Sequence, residues 1–510
     1  MRSFPTSSLP KWLTSPLKLN AGGAALFLLA YFIYFAGRAP FLGQWDSFDY
    51  LKQTVTHRLS DLAFGRPVFI GYNVFLWEVS KRLFSLAPLQ VESVVMTGII
   101  LMGAFGVLLF RRLARGLLPS PLSQMATLAF LLSPMYAVYS GSVMTEVPML
   151  TVIMAAAVIL WESGSRHPTL GPMAGGLLIG LAVGIREQAI TLAAACLWIM
   201  WVRLPDLPAR LRAWLVFGVS AGVTIALPIL ALYLYDSPGF FVRTRIWTHA
   251  IPMGQTHFLK NLQASLLFAL AVCPGAWLAL IGAGFVWGCR SLLRRPRLKR
   301  ATESRAPQHD DTRDHPSGIA HPLWGVFCGL ILPIAVLLRD ADVQMHPRYL
   351  LILLPTALLA SASIYSRVFN SIRGAVGWAV LQLVVFGAAA FALEPIRQIQ
   401  YEKKEYAKSV REKIPGDALL IPGGFSPVLD YYRGIGIRPN WRILWSGWGW
   451  NSGTAEEKIR ESWARDEPVY LCDAPYGWLM LEDERLDLHY IFKDCRREVL
   501  APGITRYYPK

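Results

Sequence analysis

Apolar runs close to the length of a bilayer crossing, separated by short polar stretches, set the first reading of this chain. They cover 20–37, 91–110, 123–140, 147–162, 172–185, 189–203, 213–234, 264–287, 321–338, 349–366 and 375–393. Roughly twenty helical residues cross a bilayer core, so the pattern predicts about eleven transmembrane helices. Backbone groups in lipid must be satisfied within their own segment, which favours helices for such runs. The stretch 67–87 is also apolar but holds Asn73, Glu78, Lys81 and Arg82. It reads as an amphipathic helix at the membrane surface, inside a first external loop over 37–90.

From Glu394 the pattern changes. Tyr401–Lys413 reads as a charged helix, Asp417–Ile421 and Val469–Cys472 as short strands, and Ala455–Ala464 as a helix. The expected fold is therefore an all-α polytopic membrane domain over 1–395. A small α/β domain over 396–510, outside the membrane, follows it. Trp441, Trp445, Trp448 and Trp450 cluster in this second part, either as core and loop packing or as a platform for sugar or lipid. The polar segment 301–320 predicts a flexible loop.

Composition supports lipid as the solvent. Of 510 residues, 54% are hydrophobic and only 16% charged, and the charges gather between the apolar runs. The net charge of +16 would suggest nucleic acid in a soluble protein. Here the basic residues sit in short loops, at Arg111, Arg112 and Arg115, at Arg166, from Arg203 to Arg212, through 290–320, and from Arg367 to Arg373. Placing those loops in the cytoplasm satisfies the positive-inside rule, so no nucleic-acid partner is expected. The N-terminus is then cytoplasmic and the C-terminal domain extracytoplasmic, in a multi-pass protein of a bacterial inner membrane. Arg2, Lys11 and Lys18 precede the first run without a clear cleavage site, which reads as a retained helix. Six cysteines are scattered without metal-binding spacing. Cys472 and Cys495 are the pair open to a disulfide in an oxidising compartment.

This topology puts the unusual polar residues on one side. Asp46 and Asp49 follow the first run, at positions that share a helix face, and Tyr50 comes next. Two such carboxylates suit a general base or a metal site; alternatively, Asp46 caps a helix and Asp49 adds charge to its first turn. Arg66 precedes Pro67, and Tyr72 lies in the interfacial stretch. Glu146 stands in the turn Met144-Thr145-Glu146-Val147-Pro148, where a helix start is the plainer reading. Arg186, Glu187 and Gln188 interrupt an apolar hairpin, and an ion pair is the plainer reading there. The loop 236–260 holds Asp236, Arg243, Arg245, His249 and His257. Finally His346-Pro347-Arg348-Tyr349 opens a late span, where a guanidinium can grip phosphate oxygens in pairs.

The order of these motifs resembles the GT-C superfamily of membrane glycosyltransferases, nearest to the protein O-mannosyltransferase and aminoarabinose-transferase type. Asp46 and Tyr50 reproduce the spacing of its first acidic motif. Arg66-Pro67 resembles a Lys-Pro step, Thr145-Glu146-Val147-Pro148 an acidic second loop, and His346-Pro347-Arg348-Tyr349 a late Arg-Tyr motif. Asp46-Ser47 departs from the frequent Asp-Glu pair, which leaves Asp49 as a candidate second carboxylate.

The resemblance implies an inverting transfer of a sugar from a polyprenyl-phosphate donor to an acceptor hydroxyl of a protein, lipid or glycan. Asp46, Asp49 and Glu146 are the catalytic candidates. Arg66, Arg186, Arg348 and His346 are candidates for the donor phosphate, and Tyr50, Tyr72, Gln188 and Tyr349 for the substrate pocket. Arginines balance a monophosphate leaving group, so no cofactor is required; a divalent metal is compatible with the scheme but not expected. A flippase for lipid-linked substrates and a polymerase or ligase using a pyrophosphate donor are the competing readings. Transporters place ionisable groups at mid-membrane and carry inverted repeats, neither of which the sequence shows.

Overall fold

The computed structural model describes residues 21–42, 45–58, 66–163, 167–235, 275–279, 281–282, 285–286, 327–337, 347–368, 372–423, 425–444, 451–473 and 482–508. His346, the 236–260 loop, the 301–320 segment and Trp445, Trp448 and Trp450 lie outside the described residues. So do most of the expected span 264–287 and residues 321–326 and 338 of the span 321–338.

The apolar runs form helices packed on one another. α1 (Ala21–Ala36) is followed by a short polar helix, α2 (Trp45–Thr56), and by α3 (Pro67–Phe84). α4 (Val91–Leu117), α5 (Ser120–Leu131), α6 (Pro134–Ser140), α7 (Glu146–Ser163), α8 (Leu170–Ile185), α9 (Ala193–Arg203) and α10 (Leu207–Tyr235) follow. After the short α11 (Leu332–Leu337) come α12 (Leu354–Val368) and α13 (Ile372–Lys413). Four helices among the described residues are long and apolar enough to cross a bilayer: Pro88–Leu117, Glu146–Ser163, Leu207–Ala231 and Arg348–Tyr365. Ala21–Ala36, Leu170–Ile185 and Arg373–Ala388 are apolar but shorter.

Local chemistry explains where these helices differ from the expected runs. The run 123–140 is two helices, because Pro134 cannot continue α5 and instead starts α6 at its first turn. The runs 189–203 and 349–366 each open on a 3₁₀ turn, Glu187–Leu192 and Pro347–Leu353. α8 and α10 approach closely at Gly176, where a Cβ would lie 2.3 Å from the Phe217 carbonyl oxygen. Outward faces carry large apolar side chains, such as Leu215, Leu234 and Phe391, 68%, 74% and 85% exposed. Exposed apolar surface on this scale suits lipid. α3 separates buried Phe69, Ile70, Asn73 and Trp77 from exposed Phe75, Leu83 and Phe84.

α13 is 42 residues long, about 63 Å at the helical rise. It carries the last apolar run straight into the charged Tyr401–Lys413 stretch, so the expected boundary between 395 and 396 falls inside one helix. Beyond it, β1 (Leu419–Ile421), α14 (Ser426–Gly434), β2 (Arg442–Ile443), α15 (Ser452–Ala464), β3 (Val469–Cys472), α16 (Glu482–Phe492), β4 (Arg496–Ala501) and β5 (Ile504–Tyr508) follow. The five strands form one sheet in the order β2-β1-β3-β5-β4. β1 is parallel to β2 and β3, whereas β5 is antiparallel to β3 and β4.

Strand alternation divides the sheet's burial. Leu419 and Ile421 join Ile459, Leu488 and Phe492 beneath α15 and α16. Leu420, Tyr470 and Cys472 point to the other face and belong to the same core as the long helices. The sheet is thus joined to the helical body through a continuous apolar core. Trp441 is buried there, its indole N–H donating to the Pro415 carbonyl at 2.7 Å. Cys472 and Cys495 do not form a disulfide. Cys472 lies in the inner core, while Cys495 sits against the outer one and its thiol donates to the Ile491 carbonyl at 3.7 Å.

Candidate active site

The helix ends sort the charged residues into two groups. At one end, Arg112 pairs with Glu162, Arg203 donates to the Trp161 carbonyl at 2.9 Å, and Arg111 donates to the Gly22 carbonyl at 3.1 Å. At the other end of α7, about 24 Å away along the helix, stands Glu146. Around it gather residues drawn from five separate stretches of the chain.

Asp46 lies in the first turn of α2, where the helix N-terminus favours a carboxylate. Ser47, beside it, donates to the Val143 carbonyl at 2.9 Å and so ties α2 to the turn before α7. Glu146 begins α7, with Pro148 in the first turn, where no helical N–H is lost. Arg186 has extended backbone between α8 and the following 3₁₀ turn. Arg348 sits in the 3₁₀ turn that leads into α12.

Their side chains form one charged cluster. Arg348 Nη2 donates to Asp46 Oδ2 at 2.8 Å, and Arg66 Nη1 lies 3.8 Å from the same oxygen. Arg186 Nη1 donates to Glu146 Oε1 at 2.6 Å and to Thr145 Oγ1 at 2.8 Å. Arg348 Nε is 3.4 Å from Glu146 Oε1, so Arg348 bridges the two carboxylates. Arg186 Nε also donates to Gln188 Oε1. Tyr349 presents its ring to both Arg186 and Arg348, with guanidinium carbons 4.4 and 5.3 Å from the centroid. The Arg66 guanidinium lies 5.2 Å from the Tyr50 ring. Tyr139, at the end of α6, is within electrostatic reach of Glu146, Arg348, Arg186 and Tyr349.

Burial grades the cluster. Glu146 and Arg186 side chains are each 1% exposed and form the floor. Asp46 is 31% exposed and Arg66 17%, and they form an accessible lip. Three guanidiniums face two carboxylates, which leaves an excess of positive charge. On the floor, Glu146 Oε2 and Arg186 Nη2 have no hydrogen-bond partner among the described residues. Buried polar atoms of this kind are costly unless something satisfies them. Burial pushes the Asp46 carboxyl up, but Arg66, Arg348 and Arg186 together outweigh it and hold the group below its ordinary range. Asp46 is therefore ionised at neutral pH. Among the described residues, no three His, Cys, Asp or Glu side chains are grouped to hold a metal ion.

Most of the candidate residues meet here: Asp46, Tyr50, Arg66, Glu146, Arg186, Gln188, Arg348 and Tyr349. Asp49 lies one turn further along α2, and its Oδ2 accepts from Gln53 Nε2 at 2.7 Å. Tyr72 packs between α3 and α4, its hydroxyl donating to the Gly98 carbonyl at 3.3 Å. Thr145, Ser47 and Tyr139 join the cluster without having been singled out. Thr145 and Ser47 had a signal, their places beside Glu146 and Asp46; Tyr139 had none.

The architecture matches solved structures along nearly its whole length. ArnT from Cupriavidus metallidurans bound to undecaprenyl phosphate superposes with a TM-score of 0.58 at 13% identity, covering 96% of this chain and 98% of that one. ArnT from the same organism in the apo state gives 0.55 at 12% identity, with the same coverage. The chain has the GT-C fold. The resemblance read from the motifs thus holds at the level of architecture. No protein-family model matches the sequence, and no curated protein does either. At such low identity the GT-C likeness concerns the fold; the chemistry has to be argued from the cluster itself.

Proposed function

We propose that the chain is an inverting glycosyltransferase that moves a sugar from a polyprenyl-phosphate donor to an acceptor hydroxyl at the non-cytoplasmic face of the membrane. The observation that carries this reading is Asp46 held between Arg348 and Arg66 at the lip of a buried cationic cluster. The setting is a fold shared with a protein solved in complex with undecaprenyl phosphate.

In this mechanism the donor's lipid tail stays in the bilayer and its phosphate meets Arg66, Arg186 and Arg348. The acceptor oxygen attacks the anomeric carbon as Asp46 takes its proton. The bond from that carbon to the phosphate oxygen breaks, and its electron pair stays on the phosphate. Fixed guanidiniums stabilise the charge that builds there. The products are glycosylated acceptor, polyprenyl phosphate and a protonated Asp46 that releases its proton to water. A single displacement inverts the anomeric centre. Arrival of the phosphate also draws the guanidinium field away from Asp46 and makes it a stronger base. Glu146 holds Arg186 and Arg348 in place, and its second oxygen is buried without a hydrogen-bond partner among the described residues. The guanidiniums supply the positive charge, so the scheme needs no metal.

The test incubates purified protein with a panel of polyprenyl-phosphate sugars and acceptor hydroxyls and follows the product's anomeric configuration by NMR. Inversion with release of polyprenyl phosphate is expected. Retention of configuration, or turnover confined to pyrophosphate donors, would overturn the proposal.

A further inference from the structure

α2 carries Asp46 on one face and packs its opposite face on the C-terminal sheet unit. Asp46 and Tyr50 point toward the arginines, while Phe48 and Lys52, four residues apart, share the far side. That far side is covered by α14, the first helix of the sheet unit. The Phe48 ring lies 5.7 Å from Tyr431 and 5.3 Å from Phe41. Phe41 stacks at 6.3 Å on Phe425, which meets Tyr406 of α13 at 5.1 Å. Lys52 Nζ pairs with Asp430, whose other oxygen takes Arg433. Asp430 is buried, 3% exposed, while the Lys52 side chain is 31% exposed, so the pair lies at the edge of the core. α14 ends against Lys52 at Gly434, where a Cβ would lie 2.9 Å from Lys52 Cγ.

α2 has 12 residues, a length at which an isolated helix is marginal in water. Its position is therefore set by what it touches. Asp46 is held from one side by the Arg348 and Arg66 guanidiniums, while Lys52 and Phe48 hold the other side against a helix packed in the shared core. We propose that Lys52 and Asp430 are positioning residues, a latch by which the C-terminal sheet unit holds the catalytic helix at its working distance from the arginines. The inference rests on the transferase reading of Asp46. It gives the sheet unit a part in the chemistry that it does not touch. A shift of about 1 Å at a reacting group costs up to ~100-fold in rate, so loosening the latch lowers turnover even though donor binding is untouched.

The experiment compares the full-length chain with Lys52→Met and Lys52→Arg, using a donor that the wild type turns over. In Lys52→Met, Asp430 keeps Arg433, so no buried charge is stranded and folding is preserved. The expected result is a kcat lowered roughly tenfold in Lys52→Met with the donor KM within about twofold, and a kcat restored in Lys52→Arg. Hydrogen exchange gives a second reading: amides of 45–56 exchange faster in Lys52→Met, while those of 146–163 do not change. Wild-type kcat in Lys52→Met would overturn the latch, as would a loss that Lys52→Arg shares. Should the wild type turn over no donor, the transferase reading fails instead. Hydrogen exchange alone then decides the latch, with unchanged protection of 45–56 overturning it.

Discussion

Asp46 and Glu146 are both carboxylates beside arginines, yet they are placed for different work. Asp46 is the exposed one, and its charge is available to an incoming hydroxyl. Asp46→Asn keeps the shape and removes the base, so transfer is expected to fall at least ~100-fold with thermal unfolding near that of the wild type. Turnover assays beside a melting curve check both parts. Glu146 is buried with Arg186, and Glu146→Ala strands a guanidinium in the core. That change is expected to cost about 3–5 kcal/mol of stability, read from a denaturant or thermal unfolding series. The arginines also fix the sign of the pH response. Because they depress the Asp46 carboxyl, its contribution to stability is complete above the ordinary Asp range and disappears only as pH falls through the lowered value. The same ionisation keeps free-enzyme kcat/KM level through neutral pH and places its acid limb below the ordinary carboxylate range. An acid limb near neutrality in a kcat/KM profile would contradict that assignment. These residues were legible in the sequence because charges at the mouths of apolar runs have few structural reasons to be there. Lys52 and Asp430 were not, since no local pattern joins positions 378 residues apart.

At the scale of elements, hydropathy located the helices but not their internal breaks. The 123–140 run reads as one mostly apolar stretch, and Ser133-Pro134 marks the division into α5 and α6. Likewise, apolar composition does not distinguish the 3₁₀ turn Pro347–Leu353 from an α-helical start, although that turn is what presents Arg348. Close contact between elements is similarly silent in the pattern. Gly176 lets α8 and α10 approach at backbone distance, and a Cβ there collides with the Phe217 carbonyl. Gly176→Ala is expected to destabilise the pair by about 1–3 kcal/mol, since the neighbouring atom is backbone and cannot rotate away. Thermal unfolding measures this, and a wild-type midpoint would show that the seam is looser than described.

At the scale of the molecule, the helical body, α13 and the sheet share one core. The change of composition at Glu394 marks where polar sequence begins, and it lies within α13. α13 runs through that point and brings the sheet unit back onto α2, on the same end of the bundle as the arginine cluster. Two long-range arrangements thus meet at one short helix: the arginine–carboxylate cluster on one side and the sheet unit on the other. The most direct test of the account measures polyprenyl-phosphate release by the wild type and by Asp46→Asn, side by side, across the donor panel. The account predicts donor-dependent release by the wild type and its loss in the variant. Equal release by both proteins would contradict it.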